Sequence, residues 1–157
     1  MEILLHDLPR NAAQRDAAHI ALCYGDASLN YGELWSAVES FAGGLLQLGV
    51  ARGERVAIFL EKRFETVIAS FGAAAAGAVF VPVNPLLKAE QVAYVLRDCN
   101  VRILITSSER LALLREELAQ CRDLRHVVVC GDEPIEEVAN ATTLAWNAVL
   151  DAPRRAG

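Results

Sequence analysis

Residues 77–106 read GAVFVPVNPLLKAEQVAYVLRDCNVRILIT. A glycine opens the stretch, and an uncharged apolar run over 78–83 follows it. Pro82, Asn84 and Pro85 then turn the chain. Residues 88–98 are charged but carry Val92, Val95 and Leu96 at helical spacing, with Cys99 continuing the same side. A second apolar run closes the stretch at 102–106. The order is strand, turn, helix, strand: one βαβ unit. Parallel strands need such a crossover, and the sheet that holds them is covered by helices. The stretch therefore predicts an α/β fold.

The rest of the chain extends the same alternation. Residues 1–19 read as a helical lead-in. Residues 20–24 and 27–30 read as short strands about a Gly25-Asp26 turn. Asn30, with Glu33 three residues on, forms a capping box for a helix over 31–48, which Gly49 stops. Residues 56–60 read as a buried parallel strand. The next helix carries Phe64, Val67, Ile68, Phe71 and Ala75 on one face. The small residues at 73–76 let it approach a neighbour closely. After the opening unit come a helix bearing Leu111, Leu114 and Leu118 and a strand over 126–130, the last clear one. The prediction is a doubly wound, mainly parallel sheet with helices on both faces and a short N-terminal β-hairpin. It forms a single α/β domain over 1–157, with 131–157 as a weakly structured end. Within that end, Leu144, Trp146 and Leu150 suggest a short helix or docking segment, and Pro153-Arg154-Arg155 a frayed tail.

Composition narrows the function classes. Of 157 residues, 54% are apolar and 22% charged, which is globular rather than disordered. A net charge of −5 with no basic patch argues against nucleic acid and anionic membrane as partners. The four cysteines, Cys23, Cys99, Cys121 and Cys130, form no C-x-x-C pair, so reduced, buried thiols in a cytoplasmic protein are expected. The N-terminus lacks the pattern of a signal peptide. Residues 66–87 run without a charge, but Gly77 and the two prolines divide them, and a buried helix followed by a buried strand is expected instead of a membrane span.

Chemistry-bearing motifs are scarce. There is no G-x-G-x-x-G after a strand, no Walker loop and no G-x-S-x-G elbow. His6, His19 and His126 are far apart, and a structural or surface role is expected rather than a catalytic one; Asp123 lies near His126 in sequence. Cys130 stands at a strand's carboxyl end, where α/β sheets bind ligands, yet a lone cysteine there reads first as a small buried hydrophobe. Arg55, Glu61, Lys62 and Arg63 flank the 56–60 strand and read as a solvated rim. No catalytic residue and no metal ligand emerges.

Three segments resemble motifs of one superfamily, in its order and with its usual spacing. Leu29-Asn30-Tyr31-Gly32-Glu33-Leu34 resembles the Leu-Thr-Tyr-x-Glu-Leu motif of AMP-forming adenylating enzymes. Residues 49–57, GVARGERVA, resemble its Gly-Val-x-x-Gly-Asp-Arg-Val-Ala, and residues 76–85, AGAVFVPVNP, its Ala-Gly-Ala-x-Tyr-Val-Pro-Leu-Asp/Asn-Pro. Asn84-Pro85 resembles the acyl-CoA ligase branch more than the peptide-synthetase branch. The run from Asn84 to Leu111 is similar to acyl-CoA ligases associated with bacterial exosortase and exopolysaccharide loci.

The resemblance implies a two-step reaction in a full-length enzyme that uses ATP, Mg and CoA. A carboxylate takes AMP from ATP, and the CoA thiol then displaces the AMP. It also implies that these residues are the N-terminal part of a longer ligase. The family's Ser/Thr/Gly-rich phosphate loop, its Tyr-Gly-x-Thr-Glu segment, its ribose-binding Asp and its C-terminal Lys have no counterpart here. No cofactor site is therefore expected in this chain beyond one position. In some relatives a basic residue after Asn-Pro meets the CoA nucleotide. Leu86 occupies that place here, and Lys88, two residues on, is the candidate phosphate contact. Against it stands the reading of Lys88 as a solvated cation in a helix's first turn, where the dipole disfavours it. The expected partners are the remainder of the ligase and, through surface the remainder would cover, further copies of the chain. Two other readings compete: a freestanding α/β interaction module, and a small nucleotide-binding protein, which the missing glycine-rich loop opposes.

Overall fold

The computed structural model describes residues 3–151. Helix α1 (Asp7–Arg15) leads into the hairpin of β1 (Ile20–Tyr24) and β2 (Ala27–Asn30). Gly25, at φ +59°, permits its two-residue turn. The capping box then starts α2 (Tyr31–Gln47): Asn30 Oδ1 accepts from Glu33 N–H at 2.7 Å, and Glu33 Oε1 accepts from Asn30 N–H at 3.1 Å. There follow β3 (Arg55–Phe59), α3 (Phe64–Ala75), β4 (Val79–Pro82), α4 (Ala89–Asp98) and β5 (Val101–Ser107). Next come α5 (Ser108–Leu114), a 3₁₀ turn (Glu117–Gln120), β6 (His126–Cys130), β7 (Thr142–Ala145) and α6 (Trp146–Leu150).

The five strands β4-β3-β5-β6-β7 form one parallel sheet in that order. The α/β fold with its hairpin, expected from sequence, is the fold observed. Two expectations change. β6 is not the last strand, because β7 pairs with it from His126↔Thr142 to Val129↔Ala145. Within the end read as weakly structured, residues 142–145 form a sheet strand, and the short helix suggested about Leu144, Trp146 and Leu150 is present as α6; burial of Trp146 and Val149 anchors both. The lead-in helix covers Asp7–Arg15 only. The tail at 153–155 lies outside the described residues. Residues 66–87 divide between α3, β4 and the turn after it. No helix among the described residues is long and apolar enough to cross a membrane.

Strand alternation sends side chains to two cores. Val56, Ile58, Ile103, Ile105 and Val128 face α2, α3 and α6. Ala57, Phe59, Leu104, Val127 and Val129 face α4, α5 and the 3₁₀ turn. Two faces are used because β4 lies on one side of β3 and β5 on the other, so right-handed crossovers put α3 and α4 on opposite faces. At the sheet's amino end an extra residue in β5, Arg102, interrupts the register against β3. Its guanidinium meets Glu54 at 2.8 Å and Asp123 at 2.9 Å. Glu54 also accepts the Ala51 N–H at 2.7 Å, and that bond, with Arg102 and Arg125, holds its carboxyl below the usual range despite partial burial.

α3 buries a different face from the one its large residues suggest. Ile68, Ala69, Gly72 and Ala73 are its buried residues, while Phe64, Val67 and Phe71 are only partly covered. Size explains this. Phe41 of α2 fills the space over Gly72, where a Cβ would stand 2.6 Å from its ring. Gly44, on the same helix as Phe41, lies against Val149 of α6, and a Cβ there would overlap the Val149 carbonyl oxygen. Gly43, one residue earlier, has no neighbour within 4 Å of a Cβ. The pair gives a direct test by urea unfolding. Gly44→Ala is expected to destabilise by about 1–3 kcal/mol through overpacking, and Gly43→Ala to stabilise by about 0.5–1 kcal/mol through helix propensity.

Candidate functional site

In an open α/β sheet, ligands bind beyond the carboxyl ends of the strands where the strand order reverses. Here that point lies between β3 and β5. Thr106, fully buried, bridges the two strands there by donating to the Phe59 carbonyl at 2.9 Å. Just beyond it, residues from the ends of three strands, among them Glu61, Arg63, Ser107, Ser108, Cys130 and Asp132, line a crevice of about 200 Å³.

Ion pairs fill much of its polar capacity. Glu61 meets Arg63 and Arg110, both at 3.3 Å, and Arg63 also pairs with Glu65 at 2.8 Å. The Glu61 carboxyl is held below its usual range, first by a hydrogen bond from its own backbone N–H and then by Arg110 and Arg63. Its main chain is held too, since Thr66 Oγ1 donates to the Glu61 carbonyl at 2.7 Å. Burial pushes the Cys130 thiol up to about 12, with Glu65 adding to the shift, so it stays protonated and unreactive. Among the described residues, the enclosed Ser108 hydroxyl finds no hydrogen-bond partner.

Arg110 links this crevice to the Asn84-Pro85 turn. It donates to the Pro85 carbonyl at 2.8 Å while its guanidinium lies 4.9 Å from the centre of the Phe59 ring. Asn84 shapes the turn, its Oδ1 accepting from Leu86 N–H at 2.9 Å and its carbonyl from Leu87 N–H at 3.1 Å. Lys88 follows as the exposed N-cap of α4, its backbone N–H donating to Gln91 Oε1 at 3.0 Å. Its side chain does not line the crevice.

Other residues singled out in the sequence separate. Arg55 lies at the opposite end of the sheet, donating to the Cys99 carbonyl at 2.6 Å and the Gly53 carbonyl at 3.2 Å, so it is a strap between β3 and the end of α4. Lys62 is exposed. His126 is part-buried in β6, and burial lowers its pKa. Asp123, near it in sequence, bonds Asn100 and Arg102 instead. Sequence reading missed Arg110, Ser107 and Ser108. The strand order supplies the signal for the serines, which stand where β5 ends at the reversal.

The described portion of the chain thus presents a paired Glu61 and Arg63, three further carboxylates and an inert thiol at its crevice, with no nucleophile–base pair. An AMP-binding enzyme family model matches residues 9–155. The chain belongs to that family. It is 35% identical over 144 residues to 4-hydroxybenzoate–CoA/benzoate–CoA ligase of Rhodopseudomonas palustris, covering 92% of this chain and 27% of that protein. Its structure is similar to an anthranilate CoA ligase bound to anthranoyl-AMP, with a TM-score of 0.88 and 28% identity, covering 97% of this chain and 28% of the other. Coronafacic acid ligase from Pectobacterium brasiliense shares the fold at a TM-score of 0.89 and 22% identity, covering 99% and 31%. The chain therefore spans between a quarter and a third of these proteins' lengths.

The crevice does not suit the nucleotide that the family's name implies. Four carboxylates, from Glu61, Glu109, Asp132 and Glu133, line it beside the Arg63 guanidinium. Arg63 is already shared between Glu61 and Glu65. A triphosphate would meet net negative charge and no glycine-rich cradle, so these residues do not fit it.

The Glu61 network predicts an acid-sensitive rim. The unfolded carboxyl titrates at its ordinary value and the folded one lower, so the unfolded state takes the proton first. The network's contribution is complete above the ordinary value and disappears as pH falls through the lowered one. Thermal melting of Glu61→Gln is expected to show a shallower loss of stability through the carboxylate range than the parent protein, with little difference between them under strong acid.

Proposed function

We propose that this chain forms the N-terminal structural subdomain of an AMP-forming acyl-CoA ligase. The enzyme would join a carboxylate to AMP with release of pyrophosphate and then pass the acyl group to the CoA thiol. The observation that carries this reading is the family match over nearly the whole chain, combined with a crevice whose charges do not suit a nucleotide. On this reading the chain supplies a covered sheet, the Asn84-Pro85 turn and the Glu61–Arg110 link as a frame. The remainder of the ligase brings the phosphate-binding parts and is the chain's principal partner. The four free thiols suit the cytoplasm, and the run from Asn84 to Leu111 supports a place among the exosortase-associated ligases.

Lys88 is the proposed contribution to CoA binding. Its exposed ammonium follows a turn held rigid by Arg110, and no ion-pair partner for it is found among the described residues. In the full enzyme, Lys88→Ala is expected to raise the KM for CoA about threefold to tenfold, the range of one exposed charge contact. Adenylation, measured separately, would be unchanged. An equal loss in both half-reactions would refute the assignment.

The isolated chain is expected to give no ATP–pyrophosphate exchange above blank with aromatic or fatty carboxylic acids. Measurable exchange would sink the subdomain reading. The coding sequence after Gly157 separates that reading from a freestanding interaction module. Continuation into a Ser/Thr/Gly-rich loop supports the ligase, whereas a stop codon there supports the module.

A further inference from the structure

The turn between β4 and α4 bridges two anchored ends. Val83 is buried and donates to the Ile58 carbonyl at 3.0 Å, and at the far end Lys88 N–H donates to Gln91 of α4. Between them Asn84, Pro85 and Leu86 are exposed, Leu86 by 88%, so burial does little to hold them. Leu87 packs partly against the core beneath α4. Asn84 closes the turn on itself by accepting the Leu86 and Leu87 N–H groups. Those bonds set the shape of the turn but not its direction relative to the sheet. Among the described residues, the hydrogen bond from Arg110 to the Pro85 carbonyl is the one that ties residues 84–87 to another element.

Arg110 is itself held from both ends. Its N–H donates to Ser107 Oγ at 3.3 Å, the cap that starts α5. Its guanidinium lies over the Phe59 ring and pairs with Glu61. Glu61 is fixed in turn by Arg63 and by the bond from Thr66 to its carbonyl. Phe59 ends β3 and Glu61 follows it by two residues, so Arg110 refers the turn to a strand that is paired on both sides. A planar fork serves Glu61 and Pro85 at once, which a lysine ammonium cannot do with the same fixed spread.

We infer that Arg110 is a positioning residue for CoA binding: it fixes the Asn84–Leu87 turn and thereby the place from which Lys88 reaches a phosphate of CoA. This role rests on the Lys88 assignment above and deepens it. Lys88 begins where the turn ends, so a swing of the turn moves its main chain and the ammonium with it. A cation on a mobile turn spreads its charge over a wide volume, and ordering it on binding costs entropy. Arg110 removes that spread in advance. It does so without meeting the ligand, because its charge is matched by Glu61 and its donor is taken by Pro85.

Kinetics of the full enzyme, followed separately in the two half-reactions, test this role. Arg110→Met keeps an unbranched stem over Phe59 and removes the donors. It is expected to raise the KM for CoA about twofold to tenfold, and by no more than Lys88→Ala does, since it acts through that residue. ATP–pyrophosphate exchange is expected to stay at the parent rate. The double variant is expected to show the KM of Lys88→Ala alone. Hydrogen exchange at the Leu86 and Leu87 amides is expected to quicken about tenfold, the effect of one lost hydrogen bond. An unmoved KM for CoA in Arg110→Met, effects that multiply in the double variant, an equal loss in both half-reactions, or unchanged exchange each overturns the inference. If Lys88→Ala leaves the KM for CoA at the parent value, the Lys88 assignment fails and the CoA role falls with it, while the exchange measurement still decides whether Arg110 holds the turn. Should Arg110→Met fail to fold, Arg110→Lys, which keeps a cation beside Glu61 but not the fork, goes through the same comparison, with a smaller rise expected.

Discussion

Two missing methyl groups set the packing of one face of the sheet. At Gly72 and Gly44 neighbouring atoms stand where a Cβ would be. Phe41 occupies the space over Gly72 and stacks on Trp146 with ring centres 4.5 Å apart. One aromatic ring therefore joins α3, α2 and α6. Gly44 brings α6 closer still, through the Val149 main chain. Because α6 begins at the residue after β7, this contact also positions the fifth strand. β7 has only four residues, two of them threonine, and little apolar area of its own. The edge of the sheet thus depends on a helix contact on its face.

The two polar ends of the sheet follow one plan with different results. At the amino end Glu54 takes its main support from the Ala51 N–H, and at the carboxyl end Glu61 takes its own from its backbone. Main-chain geometry thus sets the carboxylates, and arginines from distant elements gather on them: Arg102 and Arg125 at one end, Arg63 and Arg110 at the other. The amino end closes into a strap across β3, β5 and the segment before β6. The carboxyl end opens, because the crossovers from β3 and β5 leave in different directions. The ion pairs at that opening hold its walls, and their charges are already matched.

How legible each feature was depended on the range of the interaction behind it. β3, β5 and β6 were plain as short apolar runs, since a strand buried on both faces has nothing polar to show. The cap at Asn30 and Glu33 was plain because it spans three residues. β7 was not, because Thr142 and Thr143 give a four-residue strand no apolar pattern. α5 was read one turn too long: Leu111, Leu114 and Leu118 lie inward equally well on a helix and on a helix followed by a 3₁₀ turn. Arg110 was the hardest. Its partners Glu61 and Pro85 lie 49 and 25 residues away, so nothing in its local sequence marks it. The crevice residues at 107 and 108 needed the strand order, which no single segment contains.

The segment most diagnostic of the family has few atoms free for chemistry. Gly77 ends α3 in the left-handed region at φ +81°, where a side chain would be strained. The Asn84 side chain and carbonyl each accept an N–H from their own turn, and the Pro85 carbonyl accepts from Arg110. Each hydrogen bond fixes the direction in which the chain leaves β4 and enters α4, and hence the crossover that places β5 beside β3. Such residues identify a family through the geometry they maintain. Their substitution would move the strands before it touched any ligand, whereas Lys88, one step past the last of those bonds, keeps its charge in solvent.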